Sequence, residues 1–283
     1  MLFGAHVSIA GGVFNAPLNA AAIGAEVFQF FTRSPQGGST PPLTPDIIQL
    51  FKQNCKLSGI PNCYVHAPYI INFASANERI YHGSIRIIRE ELERSSLLGA
   101  KFMMAHLGSY KDLGESEGFT KVVAGLAKVL DGYTGSTKFL IEISAGAGDI
   151  IGSSFEKVAE IINHPNLKKY NIGICFDTQH AFASGYDLRT PEAVGKTFDN
   201  FDNAIGLDRL KLFHCNDSMI ELSGHKDRHE HLGTGKIGLS GFKSIMNFMK
   251  NHYVDYIIET EHGKVTDDLK IMKKFRKELN ENS

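Results

Sequence analysis

Short runs of apolar, β-favouring residues alternate along this chain with longer stretches of helical periodicity. The candidate strands are residues 2–7 (LFGAHV), 26–31 (EVFQFF), 63–67 (CYVHA), 102–107 (FMMAHL), 139–143 (FLIEI), 172–177 (IGICFD), 210–215 (LKLFHC) and 256–260 (YIIET). Between them, residues 77–98 and 119–130 repeat apolar side chains at helical spacing. Eight strands that alternate with helices form either an open doubly wound sheet or a closed barrel. The strand count favours a single (β/α)8 TIM barrel of the α/β class.

Two long segments interrupt this alternation without dividing the chain. Residues 32–45 are rich in Pro, Gly and Ser, and residues 217–235 are rich in His, Asp and Gly. Loops of this length in a compact domain are usually functional or disordered. No linker, low-complexity segment or charge block separates two halves, so we predict one domain over residues 1–283.

Charge and cysteine content limit the classes of partner. The formal net charge is -1, so a nucleic-acid partner would need a local positive patch. The four cysteines have no CxxC spacing, which favours reduced thiols over two disulfides and is typical of an intracellular protein. No apolar run approaches the roughly 20 residues that span a bilayer. We therefore expect a soluble, intracellular protein with no membrane partner, and the compartment stays open.

Metal-binding side chains lie where the predicted strands end, which is where the active site of a TIM barrel is found. Six successive strands, from the third onward, end in His66, His106, Glu142, Asp177, His214 and Glu259. A single histidine or aspartate at such a position more often caps a loop. Six of them without partners would cost several kcal/mol each when buried, and bound metal would remove that cost.

Three further candidates follow the strands. His180 lies three residues after Asp177 in DTQH, and Asp227 and His229 lie two residues apart in DRH. Together the nine side chains offer nitrogen and oxygen but no thiolate, which suits Zn²⁺, or Mn²⁺ as a substitute, at a hydrolytic site. At three to five ligands per ion, with one bridging carboxylate, they indicate three ions. Such a cluster activates water and stabilises the oxygens of a phosphoryl group.

Four segments resemble the signatures of the endonuclease IV family of apurinic/apyrimidinic endonucleases. They are GAHVSIAGG (4–12), FDTQHAFASGYDLRTPE (176–192), HCNDS (214–218) and KDRHEHLGTGKIG (226–238). The resemblance extends from the first strand to the last and implies a TIM barrel with three zinc ions. It implies three ligand sets: His66, His106 and Glu142; Glu142, Asp177, His214 and Glu259; and His180, Asp227 and His229.

The same resemblance implies the reaction. A monomer would cut double-stranded DNA on the 5′ side of an abasic site, leaving a 3′-hydroxyl and a 5′ deoxyribose phosphate. The residues that bind the second ion, Glu142, Asp177, His214 and Glu259, are then the catalytic set. No side chain need act as the nucleophile.

Residues in the mouth loops are the candidates for DNA contact. Tyr69 and Ile70 match the residues that the family inserts into the duplex, and an aromatic with an aliphatic side chain forms a suitable wedge. Candidate phosphate contacts are Arg33, Lys111, Arg189, Lys226 and Arg228. Two positions depart from the family pattern. The stretch 33–39 has no aromatic and carries Gln36 where an arginine is expected, and Ile143 replaces a usual asparagine.

Two other functions compete with this interpretation. A sugar isomerase or epimerase on a similar barrel also uses a Glu, Asp, His, Glu set, which Glu142, Asp177, His214 and Glu259 would match. It would leave the remaining histidines and Asp227 without a joint purpose. A DNA-binding protein with an inactive metal site is the third interpretation, and the intact ligand set argues against it.

Overall fold

The eight predicted strands form a closed parallel barrel in the computed structural model, which describes residues 1–261 and 263–281. The barrel strands are β1 (Phe3–His6), β2 (Val27–Phe30), β3 (Cys63–His66), β4 (Phe102–Ala105), β5 (Lys138–Glu142), β6 (Gly173–Asp177), β7 (Leu210–His214) and β10 (Asp255–Ile258). Each strand pairs in parallel with its neighbours in sequence order, and β1 closes the ring against β10. The prediction of a barrel rather than an open sheet is confirmed.

Helices follow the strands and cover the outside of the barrel. They are α1 (Ala16–Ala22), α2 (Pro45–Ser58), α3 (Glu78–Leu98), α4 (Glu115–Leu130), α5 (Phe155–Asn163), α6 (Thr178–Ala183), α7 (Pro191–Ala204), α8 (Gly238–Phe248) and α9 (Val265–Glu281). The main apolar core lies between these helices and the outward-facing strand residues. None of the helices in the described ranges is long and apolar enough to cross a membrane.

The predicted helix over residues 77–98 is confirmed almost to the residue. The Asn77 side chain accepts hydrogen bonds from the backbone N–H groups of Arg79 and Ile80, which caps the start of α3. Gly99 ends the helix in the left-handed region at φ 83°. The next helix begins four residues earlier than its apolar spacing predicts, at Glu115, because its first turn is polar and acidic.

A second, smaller core fills the barrel interior. It consists of Val27, Tyr64, Phe102, Met104, Leu140, Cys175, Leu212 and Ile257. Successive strand residues point to opposite faces, so the residue two positions further on also faces the interior. That step leads from Tyr64 to His66 and from Leu140 to Glu142. The candidate ligands are therefore the next layer of the barrel interior, at the C-terminal mouth.

The second predicted long loop contains regular structure that the sequence did not indicate. Strands β8 (Asp217–Ser218) and β9 (His229–Glu230) form a short antiparallel ladder. Two-residue strands are too short to leave a periodic pattern, so the sequence predicts a loop over the whole of 217–235. All four cysteines are free in this structure.

Candidate metal centre

Glu142 lies at the centre of the ligand layer, at the end of β5. Its Oε2 is 3.0 Å from Nε2 of His66 and 3.4 Å from Nε2 of His106. Its Oε1 lies 2.8 Å from Nδ1 of His214. One carboxylate thus faces two groups of donors with its two oxygens, the arrangement that a bridging ligand requires. His66, His106 and Glu142 form one set whose ligand atoms lie within 4.8 Å of one another.

A second set shares Glu142 and lies deeper in the barrel. Its members are Glu142, Asp177, His214 and Glu259, again with ligand atoms within 4.8 Å of one another. Nδ1 of His214 is 3.1 Å from Oε2 of Glu259 and 3.9 Å from Oδ2 of Asp177. Asp177 and His214 are fully buried. Three carboxylates in one buried cluster repel one another and need compensating positive charge.

A third set joins residues from α6 and β9. The donor atoms of His180, His229 and Asp177 lie within 4.8 Å of one another. Asp227 is beside both histidines, with one oxygen 3.3 Å from Nε2 of His180 and the other 3.4 Å from Nε2 of His229. The structure therefore brings Asp227 to the set that the resemblance implies, and places Asp177 between the second and third sets.

In His66 and His180 one ring nitrogen has a backbone hydrogen-bond partner outside the cluster, so the other ring nitrogen points into the cluster. Nδ1 of His66 is 2.6 Å from its neighbour's carbonyl oxygen, and Nδ1 of His180 is 2.9 Å from the carbonyl oxygen of Ile143. Such outer contacts fix the ring orientation and the tautomer of metal-binding histidines. The Ile143 side chain itself faces the outer core, so its departure from the family pattern leaves the pocket unchanged.

Two amide side chains outside the predicted set of site residues support the ligands. Oε1 of Gln29, at the end of β2, lies 2.7 Å from Nε2 of His214, and its Nε2 donates to Glu259 at 2.6 Å. Nδ2 of Asn216 donates to Oδ2 of Asp177 at 2.8 Å. Gln29 occupies the same interior register as the ligands, and that register is the signal that could have identified it.

The electrostatics of the cluster fit a divalent cation. Burial alone would raise the pKa of Glu142, yet the neighbouring histidines, His106 foremost, hold it well below its usual value. Burial lowers the pKa of His106 to about 4, which leaves a neutral imidazole with a free lone pair. Burial also opposes the charge on His180, but Asp177 and Asp227 outweigh it and raise its pKa to about 10. The carboxylates thus attract positive charge, and the donor set matches hard or borderline metal ions.

Asp217 organises the loop that carries Asp227 and His229. Its buried carboxylate accepts hydrogen bonds from five backbone N–H groups, those of Ser218, Gly233, Gly235, Ile237 and Gly238. A Cβ at Gly235 would lie 2.5 Å from its Oδ1, so the backbone approaches this carboxylate as closely as only glycine permits. The loop is therefore folded around the carboxylate of Asp217.

We expect Asp217→Asn to weaken metal binding at the third set while the barrel stays folded. The asparagine NH₂ group would face backbone donors, and hydrogen bonds to a charged acceptor contribute about 1.5–3 kcal/mol. Zinc affinity, measured by competition with a chromophoric chelator, should fall about tenfold or more at one site. Asp208→Asn, an exposed change at the opposite end of β7, is the matched control. Equal zinc affinity in both variants would contradict this role.

The candidate DNA contacts occupy different positions. Tyr69 is 65% exposed, and its ring packs edge-on against Phe31 and His66, which fixes it at the rim of the metal pocket. Ile70 is 44% exposed, and Gln36 and Arg228 are also exposed at the mouth. These four residues are placed where DNA could reach them.

Arg33 is not exposed at the mouth of the barrel, where a phosphate contact would lie. Its side chain is only 5% exposed, and its Nε lies 2.5 Å from Oε1 of Glu91, with Nη2 3.0 Å from Glu90. Both carboxylates belong to α3, which folds back against the loop. Arg33 is therefore a buried ion-pair residue that anchors the 32–41 loop, and this burial argues against the predicted phosphate contact.

Three comparisons relate this chain to known proteins. A sequence profile of the family described as xylose isomerase-like TIM barrel matches residues 17–279. The protein named Probable endonuclease 4 from Campylobacter curvus is 39% identical over 278 residues, which cover 97% of this chain and 98% of that protein. The crystal structure of endonuclease IV from Thermus thermophilus matches with a TM-score of 0.87 and 31% identity, covering 98% of this chain and 100% of that one. A D-tagatose 3-epimerase-like protein matches with a TM-score of 0.77 at 22% identity, a likeness that shows the fold alone.

Proposed function

This chain belongs to the endonuclease IV family, and on that premise we propose that it hydrolyses the phosphodiester bond 5′ to abasic sites in double-stranded DNA. The products would be a 3′-hydroxyl and a 5′ deoxyribose phosphate. The observation that carries this proposal is the convergence of nine ligand side chains, in three adjoining sets, at the mouth of the barrel. A sugar epimerase needs only the second set.

We propose that three zinc ions bind here. His66, His106 and Glu142 would hold the first, and Glu142 would share the second with Asp177, His214 and Glu259. His180, Asp227 and His229 would hold the third. When bound, such ions supply an activated water at neutral pH and offset charge on the phosphate oxygens. The chain itself holds the ligands in register, and Gln29 and Asn216 keep the carboxylates and His214 oriented.

Recognition of the abasic site would depend on the rim of the pocket. The Tyr69 ring packs edge-on against Phe31 and His66 while most of it stays exposed, so the rim presents an aromatic surface that can fill space in the duplex. A tyrosine phenol is neutral at physiological pH, so the Tyr69 ring brings no charge of its own beside a phosphate. A sugar that has lost its base leaves the helix at low cost because its stacking is already gone.

Incision of a duplex with one tetrahydrofuran abasic analogue tests this function. The analogue cannot undergo β-elimination, so a cut on its 5′ side with a polymerase-extendable end must be hydrolytic. An identical duplex without the lesion should stay intact. Zinc-loaded protein that leaves the analogue uncut but epimerises a ketohexose would overturn the proposal in favour of the sugar-epimerase function.

A further inference from the structure

A groove beside the metal pocket has no part in the function described so far. It has a volume of about 880 Å³ and lies between the 33–40 loop and the first turns of α3. Ile70 lines this groove, while its neighbour Tyr69 lines the metal pocket. The two adjacent residues therefore separate the pocket from the groove, and a ligand that crosses the mouth beyond them would enter the groove.

The groove wall on α3 is positively charged. Arg79 and Arg86 both line it, and the Arg86 side chain is 72% exposed. Arg86 reaches Glu90 only at 3.8 Å, and Arg79 has no carboxylate within ion-pair distance in the ranges that the structure describes. These two cations are available to an external anion.

The acidic residues nearby are already neutralised within the protein. Arg33 pairs with Glu90 and Glu91, and Arg94 lies 3.7 Å from Glu91. Glu78, at the start of α3, pairs with Lys121 at 2.6 Å. Arg33 is buried, but its ion pairs neutralise the charges of Glu90 and Glu91, which would otherwise repel a polyanion at this surface. Since the whole chain has a net charge of -1, this is the kind of local positive patch that DNA binding requires.

The spacing of the two arginines also suits a DNA backbone. They are seven residues apart on one helix face, a rise of about 10 Å. That rise equals about three base steps of one strand, at about 3.4 Å per phosphate along the helix axis. The opposite lip of the groove is formed by Gly37 and Gly38, and a Cβ at Gly38 would meet nothing within 4 Å. Neither glycine adds a side chain to this edge of the groove, which leaves room for a backbone beside Gly38.

We propose that this groove holds the backbone of the duplex arm flanking the incision site, with Arg79 and Arg86 against its phosphates. The inference rests on the proposed function and extends the DNA-binding surface beyond the pocket rim. It also assigns two residues of α3 that lie outside the four segments in which the sequence resembles the family.

Binding of a tetrahydrofuran duplex of about 30 base pairs to the double variant Arg79→Gln/Arg86→Gln tests the proposal. Fluorescence anisotropy would be recorded from 50 to 200 mM salt with the full chain. The dissociation constant should rise about tenfold, and the slope of log Kd against log salt should fall by about one to two, because each lost phosphate contact removes about one released counterion. The control Lys101→Gln/Lys138→Gln removes the same charge from the N-terminal end of the barrel and should bind like wild type.

Two truncated duplexes locate the contact. One lacks the arm 5′ of the lesion and the other lacks the arm 3′ of it. The difference in dissociation constant between wild type and the double variant should vanish with one of the two. An effect that persists equally on both, or a double variant that matches the lysine control, would overturn the groove assignment. Wild-type protein that binds and cuts the full duplex in these same experiments keeps the proposed function standing, so the two failures are distinguishable.

Discussion

Replacing Glu142 with glutamine is expected to lower the rate of incision at an abasic analogue by about 10³-fold or more. Removing one group that stabilises developing charge typically costs 10²–10³-fold, and Glu142 faces two ligand sets at once. Its two oxygens contact His66 and His106 on one side and His214 on the other. Glutamine keeps the shape of the side chain but offers only one oxygen and no charge. Zinc content should therefore fall together with activity.

The matched control is Glu93→Gln on α3. Glu93 pairs with Arg89 at the surface and its side chain is 56% exposed, so removing its charge should change stability by less than about 1 kcal/mol. Incision and zinc content should match wild type. Single-turnover incision and metal analysis on the same preparations compare the two variants. A Glu142→Gln protein that keeps its full zinc content and cuts at nearly the wild-type rate would rule out a bridging role.

The barrel and the ligand layer could be predicted because both depend on local pattern. Buried parallel strands have apolar runs of fixed length, and their last interior-facing residues meet at one mouth. His66 and Glu142 were found in this way, from strand ends alone. The grouping of the ligands came from the family resemblance, and the distances around Glu142 agree with it.

The features that were missed depend on contacts between distant parts of the chain. Arg33 lies next to the mouth in sequence, but Glu91, 58 residues later, holds it in the core. Gln29 and Asp217 carry ordinary polar side chains, and only the fold shows what each contacts. No local pattern reveals that a carboxylate will collect five backbone N–H groups.

Removing the metal ions is expected to abolish incision and to lower the melting temperature by about 10 °C or more. A ligand that binds only the folded state stabilises that state by about 4 kcal/mol when the free ligand concentration is about 1,000 times Kd. In a domain of this size each kcal/mol shifts Tm by about 2–4 °C. Without metal, Glu142, Asp177 and Glu259 remain close together in a buried cluster, so the repulsion among them adds to the loss.

Differential scanning calorimetry before and after chelation, and after zinc is restored, measures this effect. The stabilisation by zinc depends on pH, because the ligands must be deprotonated to bind metal. The zinc-dependent gain in Tm should therefore shrink as the pH falls, and calcium should not replace zinc, because histidine nitrogen is a poor ligand for calcium. Asp217→Asn should show a smaller zinc-dependent gain than wild type, since it disturbs only the loop that carries Asp227 and His229. Chelated protein with an unchanged Tm would mean that the hydrogen bonds among the ligands suffice to hold the cluster, and that metal is not part of the folded site.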